Sequence, residues 1–228
     1  MCYHSSDPTK EALKRAYAKN MASKQKEAID ENYKQRKHIN GFSFPKLMVV
    51  TQAEPEKINF LNWGLVPNWF SKKGATEAEQ NKSLVQIKTA TLNAKSETIF
   101  ELPSFKTVIE NQRCLIISGG FFEWQHIGNQ KIPYFISLKN EEAFSFGGIY
   151  SNWVDQQTGE IINSCSIITC EANPLMAQIH NTKKRMPFIL PKNKEDDWLK
   201  PNFKKDEIVN LMSPLNENLM ATSQKQLP

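Results

Sequence analysis

The chain predicts an α+β fold in a single domain: a strongly curved, mostly antiparallel sheet or open barrel with peripheral helices. Three observations carry that expectation. Between residues 46 and 169, apolar strand-like runs follow one another with turn signals between them, a meander rather than alternating βα units. The segments with helical character lie outside that meander, at 9–37 and beyond residue 172. No internal repeat divides the sequence, and 228 residues can bury a substantial core as one domain spanning 1–228.

Residues 9–37 are rich in Lys, Glu, Ala and Gln. Leu13, Ala16, Tyr17, Met21, Ile29 and Tyr33 form an imperfect helical stripe there, which predicts one or two surface helices used for packing. Residues 46–51 and 58–65 read as strands, the second running into Trp63-Gly64-Leu65-Val66-Pro67-Asn68-Trp69-Phe70. The polar segment 71–83 predicts a flexible loop. A strand over 113–117 meets Gly119-Gly120, and 121–127, the Gly128-Asn129 turn and 132–138 form a hairpin. Strands over 143–154 and 161–169 follow, separated by the turn at 155–159. Asn173-Pro174 signals a helix start, with Asn as N-cap and Pro in the first turn, and that short helix should end near His180. A strand over 186–190 and short helices near 194–200 and 206–212 complete the expectation.

Composition narrows the function. Hydrophobic content of 39% with five Trp and thirteen Phe fits a folded globular protein. No stretch reaches the roughly 20 apolar residues of a membrane span, so no membrane association is expected. The start shows no basic segment followed by an apolar one, so a cytoplasmic or nucleoid-associated protein is expected. Cysteines at 2, 114, 165 and 170 form no CxxC pair. The histidines at 4, 38, 126 and 180 show no HxxxH or HExxH spacing. Neither a metal site nor a cofactor is expected, and reduced thiols fit a reducing compartment. The net charge of +5 is compatible with a polyanionic partner, although lysines spread along a chain usually form a solvated surface.

The chemistry starts at Met1-Cys2. Cysteine is small enough for methionine removal, which would leave a thiol and an α-amine on one carbon. Such a 1,2-aminothiol condenses with an aldehyde to a Schiff base, and the thiol can close a thiazolidine ring. The pair could equally serve an N-terminal-nucleophile hydrolase, or Cys2 could be an ordinary residue of a frayed terminus. With an amine pKa near 8, roughly a tenth is neutral at pH 7, so a nearby base and a lowered thiol pKa would raise the reactive fraction.

Glu123 lies in Phe121-Phe122-Glu123-Trp124, where partial desolvation should raise its pKa toward the range useful for proton transfer; the bland alternative is an edge glutamate reaching water. His180 follows a helix whose C-terminus favours its cation, while Lys183-Lys184-Arg185 opposes it. Asn93 is either a turn residue or a neutral donor and acceptor for a reacting group. Trp69 and Phe70 are either core or an exposed pair that stacks on unpaired bases.

Five ordered blocks then bring a family into view: Met1-Cys2; Trp63-Gly64 through Pro67 and Trp69; Asn93-Ala94-Lys95 with Glu97-Thr98; Arg113-Cys114 through Gly120 to Phe122-Glu123-Trp124; and His180 followed by Arg185-Met186-Pro187. Together they resemble the SOS-response-associated peptidase (SRAP) family of abasic-site processing proteins across nearly the whole chain. The resemblance implies that Cys2, exposed by loss of Met1, attacks the aldehyde of an abasic site in single-stranded DNA and forms a thiazolidine crosslink. It implies Glu123 as proton shuttle and agent of slow reversal, His180 as the group assisting sugar-ring opening, and Asn93 as a hydrogen-bonding partner at the reacting centre. Expected DNA contacts are His4, Trp69, Phe70, Lys95, Arg113, Lys184 and Arg185.

The sequence also departs from the family pattern. Tyr3 and His4 stand where many relatives carry Gly and a phosphate-binding Arg. Lys95 replaces a common Arg, keeping the charge and losing the bidentate fork. Alternatives from other classes are a thiol amidohydrolase or peptidase, and a non-catalytic module binding single-stranded nucleic acid. A monomer is expected, because covalent capture needs only one chain, and the sequence names no replication or repair partner.

Overall fold

The long strands of the meander carry apolar residues on both faces, and burying both faces closes them into a barrel. A computed structural model describes residues 2–227. Its strands are β1 (His4–Ser6), β2 (Ile39–Asn40), β3 (Lys46–Thr51), β4 (Glu54–Trp63), β5 (Asn93–Lys95), β6 (Arg113–Ser118), β7 (Gly120–Ile127), β8 (Gln130–Leu138), β9 (Phe144–Val154), β10 (Ile161–Glu171), β11 (Arg185–Pro187), β12 (Ile189–Leu190) and β13 (Met220–Gln224). The helices are α1 (Lys10–Tyr17), α2 (Ser23–Asn32), α3 (Glu77–Ala90), α4 (Pro174–Ile179), α5 (Glu195–Leu199) and α6 (Lys205–Leu211).

Strands β10, β4, β3, β6 and β9 pair in that order, and β9 pairs back onto β10, which closes the ring. All contacts around it are antiparallel except β10 with β4. Every residue of β6 is buried. β5 and β11 add to β10, and β12 adds to β9. A second sheet, in the order β13-β8-β7-β1-β2, lies beside the barrel and carries the start of the chain between its central strand β7 and the edge strand β2.

The crossing between the two sheets is tight. Ser118 ends β6, and its hydroxyl hydrogen-bonds Ser5 and the Gly120 carbonyl inside the core. A Cβ on Gly120 would stand 2.2 Å from the Phe135 ring, so only glycine lets β7 start there. β1 is thereby drawn against β7, with Ser5 opposite Phe121, and Cys2 enters the interior.

The expected elements are present with three differences. Residues 71–83 are not a continuous loop, because α3 begins at Glu77 behind a Thr76/Glu79 capping box. No α3 residue is buried, so the helix lacks the apolar stripe that would announce it. The expected strand over 186–190 divides at Phe188: β11 pairs with β10 and β12 with β9 across the barrel seam. The short strands β1, β2, β5 and β13 are additions. Among the described residues, no helix is long and apolar enough to cross a membrane.

Candidate active site

β7 and α4 bring the acid–base residues together. Glu123 is buried in β7 opposite Tyr134 of β8. α4 starts where Asn173 accepts a hydrogen bond from the Met176 amide at 2.8 Å, and its own amide group donates to the Leu215 carbonyl. The helix ends at His180. Gln125 donates to the Gln178 carbonyl, and Asn181 exchanges hydrogen bonds with the backbone of His126, so the end of α4 is fastened to β7. His180 Nδ1 consequently lies 4.0 Å from Glu123 Oε1. It lies 2.8 Å from the Arg185 carbonyl. A carbonyl only accepts, so Nδ1 carries the hydrogen and Nε2 of the neutral ring holds the lone pair.

Glu123 and His180 line a cavity of about 660 Å³ with Tyr3, His4, Trp124, His126, Lys131, Thr182 and Lys183. Burial pushes the Glu123 carboxyl up to about 7, near the pH at which it both gives and takes a proton. β7 lies between β8 and β1 and Glu123 is buried, so it is not an edge glutamate reaching water. Burial, followed by cationic neighbours including Lys183, lowers the His180 pKa, so desolvation outweighs the helix terminus. Cys2 is wholly buried at the foot of β1, its Sγ 3.9 Å from the His4 carbonyl. Burial, reinforced by the Glu123 carboxylate, raises the thiol pKa far above its ordinary value. A thiol enclosed beside a carboxylate stays protonated and needs a base. Met1 and its removal lie outside the described residues.

Asn93 opens β5, parallel to β10, opposite Ile167. It is buried, and neither its amide nitrogen nor its amide oxygen has a hydrogen-bond partner among the described residues. Two unpaired polar atoms in a buried amide are costly. Asn93 is not on the lining of the large cavity; it stands on the neighbouring barrel edge.

The expected DNA contacts divide. His4 lines the cavity, with Nδ1 2.8 Å from His38 Nε2 and its ring edge-on to Trp124. Burial and His38 lower its pKa to about 4, which leaves it neutral. Lys95 and Lys184 are exposed. Trp69 is 56% exposed, with its indole nitrogen fixed on the Pro103 carbonyl. Phe70 is not its stacking partner: it is buried against Trp153 in a small cluster with Val66 and Ile162. Arg113 is also not a surface contact. Its guanidinium is buried and spends four of its five N–H groups on the carbonyls of Trp198, Ile109, Glu110 and Lys200, out of reach of a phosphate at the surface. Arg185 makes a two-pronged ion pair with Glu97 and donates to the Thr169 carbonyl, which ties the turn after β5 to β11.

Sequence reasoning missed His38, His126 and Lys131. The hairpin held the signal for two of them, since a two-residue turn at Gly128-Asn129 sets His126 opposite Lys131. Among the described residues, no group of three His, Cys, Asp or Glu is placed to hold a metal ion.

The fold is a closed barrel with a flanking sheet, and it sets a carboxyl and an imidazole side by side on one cavity. The chain belongs to the SOS response associated peptidase (SRAP) family, whose model matches residues 1–225. It is 34% identical over 180 residues to abasic site processing protein YoaM of Bacillus subtilis, covering 78% of this chain and 72% of that one. It is 30% identical over 159 residues to abasic site processing protein HMCES of Gallus gallus, covering 61% of this chain and 44% of that protein. A crystal structure of a Bacteroides thetaiotaomicron protein superimposes with a TM-score of 0.84 at 38% identity, covering 97% of this chain and 90% of that one. A Bordetella bronchiseptica protein shares the fold at 18% identity, with a TM-score of 0.77 over 99% of this chain and 100% of that one.

Proposed function

We propose that this protein processes abasic sites by capturing them covalently in single-stranded DNA, through Cys2 freed of Met1, and so shields the lesion from strand cleavage. The observation that carries this reading is the Glu123–His180 pair, 4.0 Å apart on a cavity that Tyr3, the residue after Cys2, also lines. Family membership and the names of the relatives supply the substrate.

The steps follow from the protonation states. The closed sugar opens when His180 Nε2 takes the C1′ hydroxyl proton and the ring oxygen gains one from solvent, giving the aldehyde. The neutral Cys2 amine adds to C1′. Protonated Glu123 then gives its proton to the departing hydroxyl, and water leaves an imine. The Cys2 sulfur adds to the imine carbon as its proton passes to Glu123 and the ring nitrogen takes one up. The sum is aldehyde plus aminothiol giving thiazolidine plus one water. Asn93 pairs its unsatisfied amide with the sugar hydroxyls. Glu123 protonating the ring nitrogen starts the slow reversal. One chain supplies every group, so the protein acts as a monomer, in the cytoplasm or at the nucleoid where its substrate lies.

The test is incubation with an oligonucleotide carrying one abasic site, followed by a denaturing gel. A heat-stable adduct is expected from the wild type and none from Cys2→Ala. An adduct of equal yield from Cys2→Ala would remove the thiazolidine mechanism. Cys2-dependent cleavage of a peptide amide without any adduct would favour a thiol hydrolase. Salt-sensitive binding alone would leave a nucleic-acid module.

A further inference from the structure

Phe42 projects from the protein beside the reactive terminus, 50% exposed. A single exposed phenylalanine is ordinary; one held rigidly against a residue that lines the site is not. The turn over residues 41–43 is pinned at each step. Asn40 accepts from the Phe42 amide at 3.0 Å, and the Ser43 hydroxyl donates to the Asn40 carbonyl at 2.8 Å. Gly41 donates its N–H to the Tyr3 carbonyl at 2.8 Å. Gly41 also lies flat on the buried Trp63, where a Cβ would come within 3.2 Å of the indole. Phe44 closes the turn in the left-handed region at φ 50°, with Lys88 Nζ 4.4 Å from its ring centre. Phe42 is thus displayed by a fixed backbone, and its ring lies 4.8 Å from that of Tyr3 at 38°.

Tyr3 joins this pair to the cavity, since it lines the cavity that Glu123 and His180 share. Lys131 and Lys183 line the same cavity and are exposed, a charge suited to phosphates on either side of a lesion.

We propose that Tyr3 and Phe42 form a stacking platform for a nucleobase next to the abasic nucleotide, so that the protein selects lesions whose neighbouring base is present. This rests on the proposed abasic-site function and names the part of the strand the site reads. A base laid on Phe42 buries the ring that otherwise faces water, and stacking is indifferent to sequence because every base has a π-face. Purines, with the larger face, should be preferred.

The test uses tetrahydrofuran, an abasic analogue without an aldehyde, so that binding is measured apart from chemistry. Fluorescence anisotropy compares one tetrahydrofuran flanked by adenines with three consecutive tetrahydrofurans, whose central lesion has no neighbouring base. Phe42→Ala should weaken binding to the first strand about tenfold and leave the second unchanged, while Phe42→Trp should keep the wild-type affinity. Equal weakening on both strands, or none on the first, would overturn the platform. Adduct formation on a true abasic strand is followed in parallel. Adduct without flank dependence removes the platform alone, and no adduct from the wild type removes the function on which it rests. Thermal unfolding of Phe42→Ala within about 2 °C of the wild type confirms that the exposed side chain is not a structural support.

Discussion

Glu123→Gln tests the electrostatics of the site independently of any DNA. Burial moves this carboxyl from an ordinary 4.5 to about 7. In the unfolded chain the group ionises freely above 4.5, whereas in the folded chain ionisation is resisted until about 7. The wild type therefore keeps its full stability below pH 4.5, loses it progressively as pH rises to 7, and carries a constant penalty above. A displacement of that size corresponds to about 3 kcal/mol. Glutamine has the shape of the neutral acid and no proton to lose, so the variant escapes the penalty. The expected difference in stability between Glu123→Gln and wild type is near zero at pH 4.5 and grows to about 3 kcal/mol in favour of the variant at pH 8. For a chain of this length that is roughly 6–12 °C in unfolding temperature. Thermal unfolding at pH 4.5, 6 and 8 reads it directly, and changes common to both proteins cancel in the difference. A difference that is flat with pH, or a variant less stable than wild type at pH 8, would refute the claim that Glu123 is held against ionisation. The same variant should reverse the DNA crosslink more slowly; unchanged reversal kinetics would remove the proton shuttle.

Four further substitutions separate structural from functional side chains. Arg113→Leu leaves four carbonyls without their donor and should destabilise the fold by about 3–5 kcal/mol in urea unfolding, while the folded fraction keeps its affinity for single-stranded DNA. Phe70→Ala should cost about 3 kcal/mol and Trp69→Ala about 1, since one ring is core and the other gives up one hydrogen bond; equal costs would contradict that division. Asn173→Ala removes the cap of α4 and its bond to Leu215, for an expected loss of about 2 kcal/mol. Because α4 carries His180, the adduct should also form more slowly, and a rate equal to wild type would show that the helix does not position the histidine.

What was legible in the sequence is what local patterns determine. The turns at 128–129 and 155–159 space the strands, and Asn173-Pro174 starts α4 and so fixes where His180 falls. Strand alternation put Glu123 in an aromatic setting that desolvates it. Elements held only by tertiary packing were not visible: β1 and β5 are three residues long and exist because longer strands accept them. α3 was hidden for the opposite reason, since it packs too little to show an apolar stripe, although Thr76 and Glu79 spell out its start. Charge in sequence says nothing of burial, which is why Arg113 read as a DNA contact and proved to be a brace for backbone carbonyls. The state of the Cys2 thiol was not legible either, because its pKa follows from how deeply β1 is drawn inside.

The central claim is that Cys2, through both its amine and its sulfur, holds the abasic sugar. Mass spectrometry of the digested adduct tests it most directly. The account predicts an N-terminal peptide that begins at Cys2, lacks Met1, carries the sugar with loss of one water, and takes up neither borohydride hydrogen nor a thiol-alkylating reagent at that residue. A sugar found on a lysine, on a peptide that retains Met1, or as an imine that borohydride reduces while Cys2 remains alkylatable would contradict it.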